Sequence, residues 1–353
     1  MNLNMHFLGK LIVFSSIPVT LVLNFLFFLP VDFFNFRVWE ALLPHKLTFD
    51  GIFYPNHYIQ KIEHGDLGLR TSYSVDYPVI WQTDGYGFRY SGGELEAIDL
   101  VIIGDSFTVG SSLTQSQTLA AQLTTDTSIV YPYAPATINQ YLSDGRFVDN
   151  LPEYVLVQRV ERNLGRPFCI GAIPEPRPIS EPANIWDHIS IQLDIAYRTR
   201  EYANRYISSQ FNELRPPIVN PDTRMLFLSG SIRPPDLDIA LLTEQMLRCQ
   251  QWFQDRGSTL IFMPVPDKET IYFEDIPMAS RADLNIEQRQ QVLRNLIAST
   301  STAGIPTIDL LSAFTTAADT DRIIYQLDDT HWNADGVSLA APLINAIIIS
   351  DTP

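Results

Sequence analysis

The chain has 353 residues and a formal net charge of −16, with 46% hydrophobic and 18% charged residues. This length and apolar content suffice to bury a full core, which excludes an intrinsically disordered protein. The acidic balance argues against nucleic acid as a partner, because a phosphate backbone is repelled at most approaches. The two cysteines, Cys169 and Cys249, form no CxxC pair. We therefore expect no metal site and no cofactor, and one disulfide or two separate thiols both stay open.

An uncharged stretch near the amino terminus predicts a membrane anchor. No charged residue occurs between Lys10 and Asp32, and an apolar helix of this length spans a bilayer core of about 30 Å. A cleaved signal peptide is one rival, although no small-x-small cleavage site follows the run, and a buried core helix is another. We predict a single-pass anchor over residues 1–31, with the folded part on the periplasmic or extracellular side.

Residues 32–96 mix aromatic and turn residues, which predicts short strands and turns in a lead-in segment that packs on the main domain. From residue 97 onward, short apolar runs alternate with helical patterns. The runs predicted as strands are Ala97–Gly104, Ser128–Ala134, Glu153–Val160, Ser258–Val265 and Ile305–Leu310. Apolar runs of this kind are typical of strands that are buried on both faces of a parallel sheet. The pattern predicts a three-layer α/β/α sandwich over residues 97–353, with an insertion at about 165–235.

The first chemical motif is VIIGDSFTVG, in which an apolar strand runs directly into Gly104, Asp105 and Ser106. A serine at this point lies at the carboxyl end of a strand, where such sheets bind ligands. The backbone N–H groups of Ser106 and Phe107 are candidates to stabilise an oxyanion. The alternative interpretation of Gly-Asp-Ser after a strand is a simple helix N-cap.

The second motif is YQLDDTHWNADG, which precedes the last predicted helix. A serine hydroxyl needs a base to become a nucleophile, and a histidine base needs a carboxylate that fixes its tautomer. We predict His331 as the base and Asp328 as the carboxylate, with Asp329 as the competitor for that role. Because this loop follows the last strand, we expect it at the same sheet edge as Ser106.

Together the two motifs resemble the SGNH or GDSL hydrolases, which carry a Gly-Asp-Ser block first and an Asp-x-x-His block last. The resemblance covers about residues 97–350 and implies a flavodoxin-like fold and acyl transfer through an acyl-serine. The middle blocks depart from the family pattern. Ala134 stands where the family has an oxyanion-hole glycine, and VERNLG replaces the usual Asn block. Asn163 or Arg162 is the expected replacement there.

Three stretches are similar to the SGNH proteins of alginate and exopolysaccharide O-acetylation, namely VERNL, MPVPDKETIY and DTHW. In those proteins the Asp-His pair precedes the serine, whereas here it follows. The resemblance implies an acylated carbohydrate as the substrate, leaves an acyl-donor membrane protein open as a partner, and makes Lys268 a candidate binding residue. A structural turn is the alternative for Lys268. A non-catalytic, membrane-tethered carbohydrate-binding or scaffold protein is the alternative for the whole chain.

Overall fold

The computed structural model describes residues 14–21, 37–43, 52–68, 71–90, 92, 98–124, 129–148, 151–166, 168, 184, 186, 189–194, 216–231, 236–281 and 285–351. Most of the predicted anchor 1–31, most of the predicted insertion and Cys169 lie outside these residues. Residues 14–21 are helical. No helix among the described residues has the length and apolar character needed to cross a bilayer.

The described residues contain eight strands, four of which form a parallel sheet in the order β4–β3–β5–β8. The strands are β1 (Tyr58–His64), β2 (Asp76–Gln82), β3 (Leu100–Ile103), β4 (Val130–Tyr133), β5 (Tyr154–Val160), β6 (Ile218–Val219), β7 (Leu226–Phe227) and β8 (Thr259–Val265). The pairs β1–β2 and β6–β7 are antiparallel. The predicted parallel sheet is therefore confirmed.

From the lead-in onward, helices with defined bounds in the described residues lie before, between and after these strands, and residues 189–194 are also helical. They are α1 (Val38–Leu42), α2 (Ser106–Val109), α3 (Leu119–Leu123), α4 (Ile138–Leu142), α5 (Gly145–Val148), α6 (Ile239–Gln254), α7 (Lys268–Ile271), α8 (Met278–Arg281), α9 (Ile286–Thr302), α10 (Leu310–Ala318) and α11 (Ala334–Asp351).

Successive residues of each central strand enter opposite helical layers. In β3, Leu100 and Ile102 pack in one core with α3, α10 and α11. Val101 and Ile103 pack in the other core with α4, α6 and α9. Because side chains alternate along a strand, this division requires apolar residues at every position of β3, all four of which are buried. The sheet is thus the middle layer of a three-layer sandwich.

The fifth predicted strand, Ile305–Leu310, is reduced to one parallel bridge between Phe262 and Thr307. Pro306 has no N–H to donate to a neighbouring strand. Asp309 ends the extended stretch, because its side chain caps α10 by accepting a hydrogen bond from the N–H of Ser312 at 2.9 Å. An N-cap residue fixes the start of a helix, and here it does so before a full strand forms.

The lead-in packs on the main domain through its own apolar cluster. Trp81 of β2, Phe53 and Tyr54 are fully buried and share this cluster with Val109 and Ala134 of the main domain. Arg89 is buried beside them, with its guanidinium 3.8 Å from the centroid of the Trp81 ring. Arg89 donates to the carbonyl oxygens of Val109, Gly110 and Leu113 at 2.6–2.8 Å. The lead-in thereby fixes the path of the chain just after α2.

Candidate active site

The turn that carries Ser106 is built from residues close to it in sequence and from β5. Asp105 is the N-cap of α2, and its two carboxylate oxygens accept from the N–H groups of Phe107 at 3.0 Å and Val160 at 3.1 Å. Gly104 allows the close approach, because a Cβ there would lie 2.5 Å from Gln158 Oε1 and closer still to Thr108. Ser106 thus begins a helix at the carboxyl end of a central strand.

The loop before α11 brings the second motif to the same sheet edge. A bridge between Tyr325 and Trp332 closes the loop. Nε2 of His331 lies 2.7 Å from Oγ of Ser106, within hydrogen-bond distance. The imidazole is buried, and its ring centroid lies 4.8 Å from that of Phe107. The serine and histidine predicted from the sequence therefore meet in the geometry that general-base activation of a hydroxyl requires.

The carboxylate that contacts His331 belongs to Asp329, and the prediction of Asp328 is wrong at this point. Oδ1 of Asp329 bonds Nδ1 of His331, and the same oxygen accepts from the backbone N–H of His331 at 3.0 Å. Only Thr330 separates the partners in sequence, so one tight turn satisfies both contacts. Asp328, one residue earlier, projects away from the imidazole and toward the lead-in.

The second oxygen of Asp329 is held from outside its own loop. Oδ2 accepts from the hydroxyl of Ser112 at 3.1 Å and from the N–H of Asp66 at 3.2 Å. Burial alone would raise the pKa of Asp329, but the charge of His331 and the hydrogen bonds it donates hold that pKa far below its ordinary value. Sequence reasoning missed Ser112 and Asp66, and no local pattern marks either residue as part of the site.

Asp328 fastens the lead-in to the histidine loop. Its carboxylate accepts from the hydroxyl of Tyr77 at 2.5 Å and from the N–H of Val75 at 2.8 Å. Its backbone carbonyl accepts from the N–H groups of Leu67 and Gly68 at 3.1 Å and 2.9 Å. Burial raises the pKa of Asp328. The carboxylate is a structural anchor, which explains an acidic residue beside Asp329 without giving it a part in proton transfer.

Lys268, predicted as a substrate-binding residue, lies underneath the histidine loop. It is fully buried, and Nζ donates to the carbonyl oxygens of Gln326, Leu327 and Asp329 at 2.6, 2.8 and 3.1 Å. Burial lowers the pKa of Lys268 to about 8, against the opposing effect of nearby Glu269 and Asp329. A fully buried ammonium cannot contact a substrate, so Lys268 supports the loop instead.

Of the residues predicted to stabilise an oxyanion, the structure excludes Phe107, whereas Ala134, Arg162 and Asn163 remain candidates. The N–H of Phe107 is occupied by Asp105, so the prediction that it binds an oxyanion is wrong in this arrangement. Ala134 is buried at the end of β4. Arg162 and Asn163 follow β5 and are half-buried. The guanidinium of Arg162 lies 5.5 Å from the centroid of the ring of Phe107, the residue after Ser106.

Arg162 is oriented by a buried ionic network behind the site. Its Nη1 bonds Asp267, whose other carboxylate oxygen lies 3.2 Å from Arg289 Nη2. Glu161 is fully buried, and it accepts from the N–H of Asp267 at 2.8 Å and from the hydroxyl of Thr270 at 2.5 Å. Burial raises the pKa of Glu161 to about 7. The VERNL stretch therefore joins the end of β5 to the turn after β8.

Asp66, Asp329 and His331 form a group whose potential metal-ligand atoms lie within 4.8 Å of one another. Their atoms already bond within the protein. His331 Nδ1 bonds Asp329, and the two oxygens of Asp66 accept from the N–H and hydroxyl of Thr330 at 2.9 and 2.7 Å. A metal would have to displace these contacts, so the donor set suits proton handling better than metal binding.

Comparison with known proteins finds a family match over the carboxyl-terminal part of the chain. Residues 225–352 match the model of the SGNH hydrolase-like domain of the acetyltransferase AlgX. Over these residues the chain is similar to an SGNH hydrolase-like domain of the AlgX type. The match confirms the family recognised from the two motifs, and it includes Asp329 and His331 while Ser106 lies outside the matched residues.

Solved structures add only a distant likeness. One crystal structure is 12% identical with a TM-score of 0.36, over 73% of this chain and 99% of the other. A crystal structure of a proposed acylhydrolase from Bacteroides fragilis is 12% identical with a TM-score of 0.35, over 73% of this chain and 91% of the other. Comparison with curated proteins finds no match.

Proposed function

We propose that the protein catalyses acyl transfer through a covalent acyl-serine, with Ser106 as nucleophile, His331 as base and Asp329 as orienting carboxylate. The contact of 2.7 Å between Ser106 Oγ and His331 Nε2 carries the proposal. His331 takes the hydroxyl proton while Oγ attacks the ester carbonyl, and it then gives that proton to the leaving alcohol. Water or a second hydroxyl, deprotonated by His331, attacks the acyl-serine and releases Ser106.

The negative charge that develops on the carbonyl oxygen requires donors at the same sheet edge. We assign this role to the guanidinium of Arg162 and to backbone N–H groups near Ser106 and Ala134, with Asn163 beside them. Support comes from the position of Arg162 above the ring that packs on His331. Its bond to Asp267 restrains the guanidinium before substrate arrives, so little reorganisation accompanies the reaction.

The match to the domain of an acetyltransferase supports acetyl as the transferred group. The resemblance of three sequence stretches to proteins of exopolysaccharide O-acetylation supports a sugar hydroxyl as the acceptor. Under this proposal the substrate is an acylated carbohydrate of the cell envelope. The rival function, a non-catalytic carbohydrate-binding or scaffold protein, would be favoured by a triad that does not assemble. Ser106, His331 and Asp329 are in contact, so the geometry favours the enzyme.

We further propose that residues 1–31 anchor the chain in a membrane, with the domain on the periplasmic or extracellular side. The uncharged run after Lys10 supports the anchor. Cys249 is disulfide-bonded, and disulfides persist mainly outside the reducing cytosol. The test is fractionation followed by protease treatment of intact cells. Retention in the membrane after carbonate extraction, with digestion of the domain from outside, supports the proposal; protection from the protease contradicts the orientation.

The decisive experiment on the chemistry measures hydrolysis of 4-nitrophenyl acetate by the full chain and its Ser106→Ala variant. We expect kcat to fall by about 10⁴-fold or more in the variant, because the nucleophile is removed. Adding an oligosaccharide acceptor should then divert acetyl groups from water to sugar if the protein is a transferase. Unchanged turnover in Ser106→Ala would refute the serine mechanism.

A further inference from the structure

Ser112 lies outside both sequence motifs, yet it touches the acid–base pair. Its hydroxyl donates to Oδ2 of Asp329 at 3.1 Å, while Oδ1 of that carboxylate bonds His331. The serine is buried, which keeps it from contacting a substrate. Its hydroxyl acts on the orientation of Asp329.

The backbone at Ser112 adopts a conformation that residues with a side chain rarely use. Its φ is +58°, in the left-handed region. The conformation is held on both sides, because the N–H donates to Glu63 Oε2 at 3.1 Å and the carbonyl accepts from Gln326 Nε2 at 3.3 Å. Such strain persists where the surroundings enforce it, and it clusters at functional sites.

The lead-in provides that enforcement. Glu63 of β1 is fully buried, and its other carboxylate oxygen accepts from the N–H of Val38 at 2.6 Å. Arg89 binds the carbonyl oxygens of Gly110 and Leu113 on either side of Ser112. The lead-in also places the N–H of Asp66 on the same oxygen of Asp329. A segment far from the catalytic residues in sequence thus sets the position of two hydrogen-bond donors.

We propose that Ser112 is a positioning residue of the catalytic centre, and that the lead-in holds it so that Asp329 faces His331 in one orientation. The inference rests on the proposed serine mechanism and deepens it. Without the Ser112 hydroxyl, one oxygen of the carboxylate loses a donor and the carboxylate rotates more freely. The imidazole is then aligned with Ser106 for a smaller fraction of the time, which slows the chemical step but leaves substrate binding unchanged.

The adjacent Ser111 offers a matched control. It is also fully buried, but its hydroxyl has no hydrogen-bond partner among the described residues. The experiment compares Ser112→Gly, Ser112→Ala and Ser111→Ala in the full chain. Glycine accepts the left-handed backbone without strain, so Ser112→Gly removes the hydroxyl while the loop keeps its path. The readouts are kcat and KM for 4-nitrophenyl acetate and the rate of labelling by a fluorophosphonate, which reports nucleophile reactivity.

We expect kcat and the labelling rate to fall by about tenfold in both Ser112 variants, as loss of a hydrogen bond to a charged group implies. KM should stay constant, and Ser111→Ala should match wild type. Wild-type kcat and labelling in both Ser112 variants, with Ser106→Ala inactive, would overturn this inference while the serine mechanism stands. Absence of labelling in the wild type itself would overturn the serine mechanism and this inference together.

Discussion

The serine turn and the histidine loop meet at one edge of the sheet but are held there in different ways. Asp105 and Gly104, next to Ser106 in sequence, shape the serine turn together with β5. The histidine loop depends on partners far along the chain, since Asp66 bonds Asp329 across 263 residues and Lys268 bonds three of its carbonyls.

The serine turn and the histidine loop should therefore respond differently to substitution. A local turn re-forms whenever its strand and helix form, so a change there costs what one cap or one close approach contributes. A loop held by distant partners loses alignment when any of them shifts, even if each contributes little to folding. We therefore expect substitutions around the histidine loop to affect catalysis more than equally destabilising changes around the serine turn.

The largest effect should come from exchanging the two adjacent carboxylates for amides, one at a time. Asp329→Asn should lower kcat by about 10³–10⁴-fold with the fold retained, because an amide does not stabilise the imidazolium. Asp328→Asn should leave kcat within a few-fold of wild type and lower the free energy of unfolding by about 1–3 kcal/mol. Steady-state kinetics and urea unfolding measure the two effects, and the reverse pattern would restore Asp328 as the catalytic carboxylate.

Lys268→Met tests the support beneath the loop. It removes three hydrogen bonds, and the carbonyl of Leu327 keeps a second donor, the N–H of Leu226. The free energy of unfolding at pH 7 should fall by about 3 kcal/mol. Loosening of the segment that carries Asp329 should also reduce kcat. Urea unfolding and kinetics on the same samples check both effects. A stable variant with wild-type kcat would show that the loop keeps its conformation without Lys268.

The pH dependence of stability gives an independent check on Lys268. Its pKa is about 8 in the folded chain and 10.5 as the ordinary value. The unfolded state therefore binds more protons between these values, and the free energy of unfolding should rise with pH across this interval. The contribution is fully present above 10.5 and is lost as pH falls through 8. The rise should be absent from the stability curve of the Lys268→Met variant, and it should appear in the difference between the wild-type and variant curves.

Gly65 tests the close contact between the lead-in and the loop. A Cβ at Gly65 would lie 2.1 Å from the carbonyl oxygen of Asp328, so Gly65→Ala should displace the loop at a cost of about 1–3 kcal/mol and reduce kcat. Gly230→Ala is the matched control, because a Cβ there meets nothing within 4 Å. Thermal unfolding and kinetics should separate the two variants; equal behaviour would argue against tight packing at Gly65.

The smallest expected effect lies on the serine side. Asp105→Ala removes the cap of α2 and should lower the free energy of unfolding by about 1 kcal/mol, with a modest fall in kcat. Asp238→Ala removes a comparable cap, that of α6, where Asp238 accepts from the N–H of Leu241 at 3.0 Å. This control should lose similar stability and keep full kcat. A loss of kcat at Asp105 as large as at Asp329 would remove the distinction between the two regions.

The sheet could be predicted from sequence because its strands are buried on both faces and stand out as apolar runs. The prediction failed at Ile305–Leu310, where Pro306 and the cap at Asp309 end pairing after one bridge. Ser106 could also be predicted, because its turn follows β3 directly in the chain and so lies at the carboxyl end of a recognisable strand.

The choice between Asp328 and Asp329 could not be made from sequence. Both are acidic and adjacent, and the Asp-x-x-His spacing of the family favoured Asp328. The structure assigns them by tertiary contacts, with Asp328 bonded to Tyr77 and Asp329 to His331. Lys268 was misplaced for a related reason, since its burial depends on how the loop 325–332 folds over it. No pattern within either segment encodes such contacts.

The turn that joins Asp329 to His331 couples the two side chains. A single carboxylate oxygen of Asp329 receives both the ring nitrogen and the backbone N–H of His331. The base and its carboxylate therefore move together, and the distant partners of the loop position both of them opposite Ser106. A displacement of the loop would change the distance between His331 Nε2 and Ser106 Oγ before it separated His331 from Asp329.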